Sequence, residues 1–404
     1  MARSETARLI SGFRPGERVF MIGSTGAVLP FLDAFASGDL PPLHLTSSLV
    51  PGVNDLPAAL PDESRLTNAF PVPGLPASRA MPLSYGGYLS WLASQTFDTC
   101  IVQVAPPARG RVASLGCAAE FAPVGMTRSR RILAVVNPAV PHVPDAATLD
   151  LDQAEAVFDI DHPLPEYLPG APDAQARAIA GHIAAFITDG AALQVGLGRV
   201  PDALLMALTD RRGLRMQSGM ISDSVRALHE ADALDPDWMH MSCVHVGSSA
   251  HYDWMRKRSG FAVLGCDVTH DPGRLYRSDG LVAVNGALEV DLFGQANLEH
   301  AGTRRVSSVG GAADFSRAAS LDPRGISVVG LPSDLRKGTV SRIVPRLSVP
   351  ASLPRHDIDV VVTEHGSADL RGLGPEERAD RLIAIAAPDH RPALAAAWEE
   401  MARA

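Results

Sequence analysis

The sequence predicts an α/β protein built on largely parallel sheets. Three observations lead there: short β-branched and apolar runs recur along the chain, helical patterns stand between them, and aromatic side chains make up only 5% of residues. Strands buried on both faces read as continuous Val, Ile and Leu runs, and parallel neighbours need a crossover between them, usually a helix. A core poor in rings must be filled by Ala, Val, Leu and Ile, which suits sheets lying under helices. At 404 residues, 46% of them apolar, the chain can bury one or two full cores, and its length favours two or three domains.

Taken in order, ERVFMIG near residue 20, TCIVQVA near 102, RILAVVN near 134, AALQVGLG near 194, GISVVGLP near 328 and DIDVVVT near 360 are bounded by Gly or polar residues and read as strands. DAQARAIAGHIAAFI is the clearest helix: Asp173 suits its N-cap, and Ile179, Ile183, Phe186 and Ile187 share one face. Just before it, residues 159–174 carry Pro163, Pro165, Pro169 and Pro172 and have no credible strand or helix interior. This linker separates an N-terminal α/β domain, 1–165, from a C-terminal one, 175–404. The last helical patterns, EERADRLIAIA and PALAAAWEEMA, close the second half on Leu394, Trp398 and Met401 as core residues.

Charge narrows the range of partners. With 36 basic against 45 acidic side chains the formal net charge is -9, which repels polyanions and argues against nucleic acid. No run of eighteen apolar residues occurs, and the start lacks the apolar core of a secretory signal, so a cytoplasmic protein without a membrane partner is expected. Cys100, Cys117, Cys243 and Cys266 are widely spaced, with neither a CxxC pair nor a Cys/His ligand pattern, and read as buried free thiols; no metal is expected.

Several segments could carry chemistry. LQVGLGRVPDALL places Gly196 and Gly198 in a turn between a strand and a helix beginning near Pro201, where a phosphate or carbonyl oxygen can approach the main chain. Such a turn also arises for purely geometric reasons. VSSVGGAADF adds Gly310 and Gly311. In NGALEVDLFGQAN, Glu289 and Asp291 fall on one face of an extended run, either as an acid/base pair or as solvated carboxylates. LPSDLRKGTVSRIVP concentrates Arg336, Lys337 and Arg342 in an acidic chain, as a surface loop or as a seat for a phosphorylated cofactor.

Together with SGMISDS, THDP and VTEHGSADLRG, these segments stand in the order and spacing of a known family, and VQVAPPARGRVASLG and DHPLPEYLP extend the likeness back to about residue 80. The chain resembles the acetyl-CoA hydrolase/transferase family, which includes the 4-hydroxybutyrate CoA-transferases. The resemblance implies two open-sheet α/β domains of the family I CoA-transferase type with acyl-CoA in a cleft between them. It further implies that the turn Gly196–Leu197–Gly198 helps form the oxyanion and coenzyme A site, that Gly310 and Gly311 line the coenzyme, and that Lys337 contacts its phosphates or pantetheine arm. Glu289 would border the same site. A small acyl-CoA, a small carboxylate acceptor and assembly into a homo-oligomer come with the family.

The family's reaction begins with a glutamate that attacks the thioester carbonyl, giving a mixed anhydride and then a glutamyl-CoA thioester. In relatives that glutamate stands in a His-Ser/Thr-Glu-Met segment after the Gly-x-Gly turn. Here the aligned residues are Gln217, Ser218, Gly219 and Met220, so the nucleophile's position holds Gly219. Three readings follow. Another carboxylate, Glu289 foremost, has taken over the covalent role; or water attacks, with His245, His270 or His365 as base or Ser218 as nucleophile; or the chain binds acyl-CoA without catalysis, alone or as a subunit of an active partner.

Overall fold

The computed structural model describes residues 2–56, 59–72, 75, 78–335 and 338–403. The chain divides into two compact units: the first holds 1–168 with 219–223 and 237–271, the second 169–218, 224–236 and 272–404. The division at Leu168 and Pro169 falls in the proline-dense stretch, where residues 160–173 form neither helix nor strand.

In the first unit seven strands form one sheet: β1 (Arg18–Met21), β2 (His44–Ser47), β3 (Arg65–Asn68), β4 (Ser78–Ala80), β5 (Phe97–Val104), β6 (Ser129–Val136) and β7 (Ala156–Asp159). Their order is β4-β3-β2-β1-β5-β6-β7 and every pairing is parallel. Leu45, Ile101, Leu133 and Val135 of the sheet pack with Leu9, Phe31 and Phe35 of helices in one apolar cluster. The chain lays β2 to β4 on one side of β1 and returns with β5 on the other, so the segments leaving the carboxyl ends of β1 and β5 diverge. Gly23 lies two residues past β1, and a Cβ there would stand 2.2 Å from the Ser48 carbonyl oxygen, so only glycine allows this approach.

Two later segments complete this unit. The strand Met220–Ile221 pairs in parallel with Val244–His245, and His240–Ser242 with Phe261–Val263. The Gly219 carbonyl accepts from Cys243 N (2.9 Å), and the Cys243 carbonyl accepts from Ala119 N (3.0 Å) and Glu120 N (3.2 Å).

The second unit repeats the winding. Its sheet contains β8 (Ala192–Val195), β9 (Arg215–Met216), β10 (Leu281–Gly286), β11 (Ile326–Gly330), β12 (Val360–Thr363) and β13 (Gly366–Asp369), in the order β9-β8-β10-β11-β12-β13. All pairs are parallel except β12 with β13. The helix Ala174–Ala184 is capped by Asp173, whose Oδ1 accepts from Ala176 N at 2.8 Å, and it buries Ile179 and Ile183. Leu382 and Leu394 join Val329 and Val361 in a second core, with Trp398 and Met401 at its margin. No helix among the described residues is long and apolar enough to cross a membrane.

Glu289 and Asp291 lie on one short strand, Glu289–Asp291, which pairs with Ala296–Asn297 and with Ile343–Val344. They share a strand face but not a role. Asp291 is buried, and its carboxylate accepts from Phe293 N (3.1 Å), Gln295 N (2.9 Å), Gln295 Nε2 (2.9 Å) and Leu347 N (3.4 Å). It organises the DLFG turn. Asp291→Ala would strand these donors, and an expected loss of about 2–3 kcal/mol should appear as a lower urea midpoint with an unchanged slope.

Candidate functional site

In an open parallel sheet, ligands bind beyond the carboxyl ends of the strands where the winding reverses. In the second unit that point lies between β8 and β10. The strand β8 leads into Gly196, Leu197 and Gly198, and β10 leads through Ala287 and Leu288 into Glu289. Gly311 is the N-cap of the helix Ala312–Leu321, which crosses from β10 to β11 and so starts at the same carboxyl edge. Ala287 and Ala312 pack in one cluster there. Three of the five turn residues singled out from sequence have backbone reasons to be glycine, or room for a ligand. A Cβ on Gly196 meets nothing within 4 Å; Gly198 takes φ 129° and caps the helix Arg199–Ala207; Gly310 takes φ 56°. That helix begins two residues before Pro201.

Polar side chains tie the edge together. Gln194 and Asn285 exchange amide hydrogen bonds at 3.3 Å, and Asn285 Nδ2 also donates to Ser316 Oγ at 3.2 Å. At the end of β9, Ser218 Oγ donates to the Val195 carbonyl at 2.9 Å, which occupies the hydroxyl and argues against a nucleophilic role. Glu289 Oε2 accepts from Asn297 Nδ2 at 3.2 Å. Arg342 is buried, with Nε donating to the Leu288 carbonyl at 2.9 Å; burial lowers its pKa while the charges of Glu289 and Glu364 oppose the shift.

Glu364 follows β12 on this edge. Its carboxylate accepts from Ser333 Oγ (2.7 Å), Ser333 N (2.9 Å) and Gln175 Nε2 (2.7 Å), and His365 Nε2 lies 3.7 Å away. Burial pushes this carboxyl up, but the hydrogen bonds from Ser333, its own N–H and Gln175 outweigh burial and hold it below the usual range. Sequence reading missed Glu364 and the burial of Arg342; the residues stand in the quoted motifs, but nothing local distinguishes them from a solvated loop. Lys337, with Arg336, lies outside the described residues.

The remaining expected groups are in the first unit. His245 is fully buried, with Nδ1 3.0 Å from His251 Nε2, and burial followed by the His251 charge holds it neutral. Burial likewise lowers His270 to about 3. Neither accepts a proton near neutrality. Sequence reading also missed Glu120, a buried carboxyl pushed up to about 7 by desolvation against the Ser24 and Ser48 hydroxyls. Ser48 Oγ donates to its Oε2 at 2.5 Å, while Oε1 accepts no hydrogen bond. Both Ser24 (φ 49°) and Glu120 (φ 35°) hold positive φ, an uncommon state for residues with side chains.

A family model for the acetyl-CoA hydrolase/transferase C-terminal domain matches residues 247–398. The 4-hydroxybutyrate coenzyme A transferase of Clostridium kluyveri is 32% identical over 305 residues, 74% of this chain and 71% of that protein. The chain belongs to the acetyl-CoA hydrolase/transferase family. Solved structures agree: RipA from Yersinia pestis superposes with a TM-score of 0.89 at 25% identity over 99% of both chains. The 4-hydroxybutyrate CoA-transferase from Porphyromonas gingivalis does so with a TM-score of 0.80 at 26% identity, over 99% of this chain and 96% of that one. Its two open α/β sheets are those of this family's CoA-transferases, and its members act on CoA thioesters.

The hydrogen bonds at Glu364 have a consequence for pH. A carboxylate held low in the folded chain adds stability above its ordinary value of 4.5 and loses it as pH falls through the folded value. Glu364→Gln should therefore lower stability at about pH 7 and flatten the acid limb below about pH 4.5, as urea titrations over that range would record.

Proposed function

We propose that this chain cleaves a small acyl-CoA thioester by direct attack of water, with the coenzyme lying along the carboxyl edge of the second unit's sheet. The observation that carries the reading is that Gly196, Leu197, Gly198, Glu289, Gly310 and Gly311, which the family likeness assigns to coenzyme A and its surroundings, all belong to that one edge. Lys337 would hold a phosphate or the pantetheine arm, a role that rests on the family likeness alone. The open space at Gly196 suits close approach of the thioester carbonyl to main-chain N–H groups, which would stabilise the developing oxyanion.

In the motif alignment Gly219 stands where the family's glutamate would be, so the covalent route through that position has no nucleophile. Glu289 is the carboxylate best placed to serve instead, half-buried at the switch point and oriented by Asn297. As general base it would take a proton from water while the oxygen adds to the carbonyl carbon. Collapse of the tetrahedral intermediate breaks the C–S bond, releases CoA thiolate and leaves the free carboxylic acid. A second reading, coenzyme A binding without turnover, is favoured by Gly219 itself.

Coenzyme A at about a hundredfold excess over its Kd should stabilise the chain by about 2.7 kcal/mol, and Lys337→Glu should reduce the thermal shift. Absence of a shift at millimolar coenzyme would count against both readings.

Turnover of an acyl-CoA panel, with and without carboxylate acceptors, separates the chemistries. Hydrolysis without acceptor, no glutamyl adduct after borohydride or hydroxylamine, and loss of turnover in Glu289→Gln are expected. An adduct on Glu289 would instead establish a transferase with a relocated nucleophile, and binding with no turnover would establish the non-catalytic reading. Gly219 is not among the glycines with positive φ, so Gly219→Glu is open to the backbone and should introduce acceptor-dependent transfer.

A further inference from the structure

We propose that Cys243, Cys266 and His270 form a binding site for a thiophilic metal ion, zinc in the first instance, buried within the first unit. Their ligand atoms all lie within 4.8 Å of one another and all three residues are buried. Tetrahedral zinc with sulfur at ~2.3 Å and nitrogen at ~2.0 Å needs ligand atoms roughly 3.5 Å apart, so closing on an ion takes movements of about an ångström.

The backbone has already brought the three together. Cys266 opens the helical turn Cys266–Thr269 and His270 follows it, four residues apart and hence on one face. Cys243 stands between the strands His240–Ser242 and Val244–His245, and the pairing of Ser242 with Val263 sets it beside the segment that runs into Cys266. Cys266 N donates to the Glu120 carbonyl at 2.6 Å, which ties that segment to the residue whose N–H reaches the Cys243 carbonyl.

Thr269 bears on the tautomer of the histidine. Thr269 Oγ1 donates to the Gly265 carbonyl at 3.2 Å, so it meets His270 Nδ1 at 2.9 Å as an acceptor. In that arrangement Nδ1 carries the proton, and Nε2 would present its lone pair to an ion. Tyr85 packs against His270 (5.1 Å between centroids) and against Phe121 (5.0 Å), so aromatic rings wall one side of the histidine. Glu120, whose carbonyl accepts from Cys266 N, carries a buried Oε1 without a hydrogen bond, and a nearby cation would give that oxygen a counter-charge.

Cys243 Sγ donates to the Gly219 carbonyl at 3.0 Å. On binding, each thiol releases its proton to solvent as its sulfur bonds the ion, and the Gly219 carbonyl retains the N–H groups of Cys243 and Val244. Two thiolates and a neutral imidazole balance a divalent charge, and soft sulfur selects zinc over magnesium or calcium. Three protein ligands leave the fourth tetrahedral position for water or another small ligand.

The test is elemental analysis of the full chain purified without chelator, together with refolding in the presence of Zn2+ or Co2+. About one zinc per chain is expected, lost in Cys266→Ser and in His270→Asn and retained in Cys100→Ser. Cobalt in the wild-type chain should give a thiolate-to-metal charge-transfer band, a readout that needs no variant to fold. Wild-type protein that takes up neither ion, cobalt bound without that band, or undiminished metal in folded Cys266→Ser would each overturn the proposal.

Discussion

The winding of each sheet about its first strand constrains everything else. β1 and β8 are laid down early and end up inside their sheets, because the chain builds to one side and then returns to the other. Parallel strands all end on one edge, and there the diverging connections leave main-chain groups and polar side chains without a ladder to complete them. Both units answer with buried amides. In the first, Asn137 Nδ2 donates to Gln103 Oε1 at 2.9 Å and Gln103 Nε2 to the Thr25 carbonyl at 3.0 Å. In the second, Gln194, Asn285 and Ser316 play the same part. Such networks hold their members in place only when complete, and that rigidity fixes the geometry of the edge.

Much of this was legible in the sequence where one physical effect dominated. The six apolar runs are all strands, since continuous Val and Ile stretches suit burial on both faces and little else; Asp173 caps its helix through the contact its side chain predicts. β2, β3 and β4 were not, because HLTS, RLTN and SRA are short, half polar and become strands only when β1 offers an edge to pair with. The central strand β10, LVAVNG, lay hidden beside the more conspicuous glycine and acidic motif that follows it.

Site residues divided along the same line. Gly198 and Gly310 show in the sequence because their positive φ favours glycine. The pairing of Glu289 with Asp291 was also legible, yet its meaning was not: burial makes Asp291 a turn organiser, and burial is a property of the folded chain. Glu120 gave no local signal, since its environment comes from Ser24, Ser48 and Cys266, each remote in sequence. Cys266 and His270 stand at helical spacing that can be read directly, but their third neighbour, Cys243, arrives only through the pairing of two parallel strands.

These threads meet at Gly219. Its carbonyl accepts from Cys243 N, Val244 N and Cys243 Sγ, so the peptide is held by the backbone of the neighbouring segment and has little freedom to turn. That segment continues, through the Cys243 carbonyl, to Ala119 and Glu120. A residue bound in this way acts through its main chain, and here the position contributes no side chain at all. The segment at 219 thus keeps a structural part through its main chain: it anchors the loop at Cys243 that joins His240–Ser242 to Val244–His245.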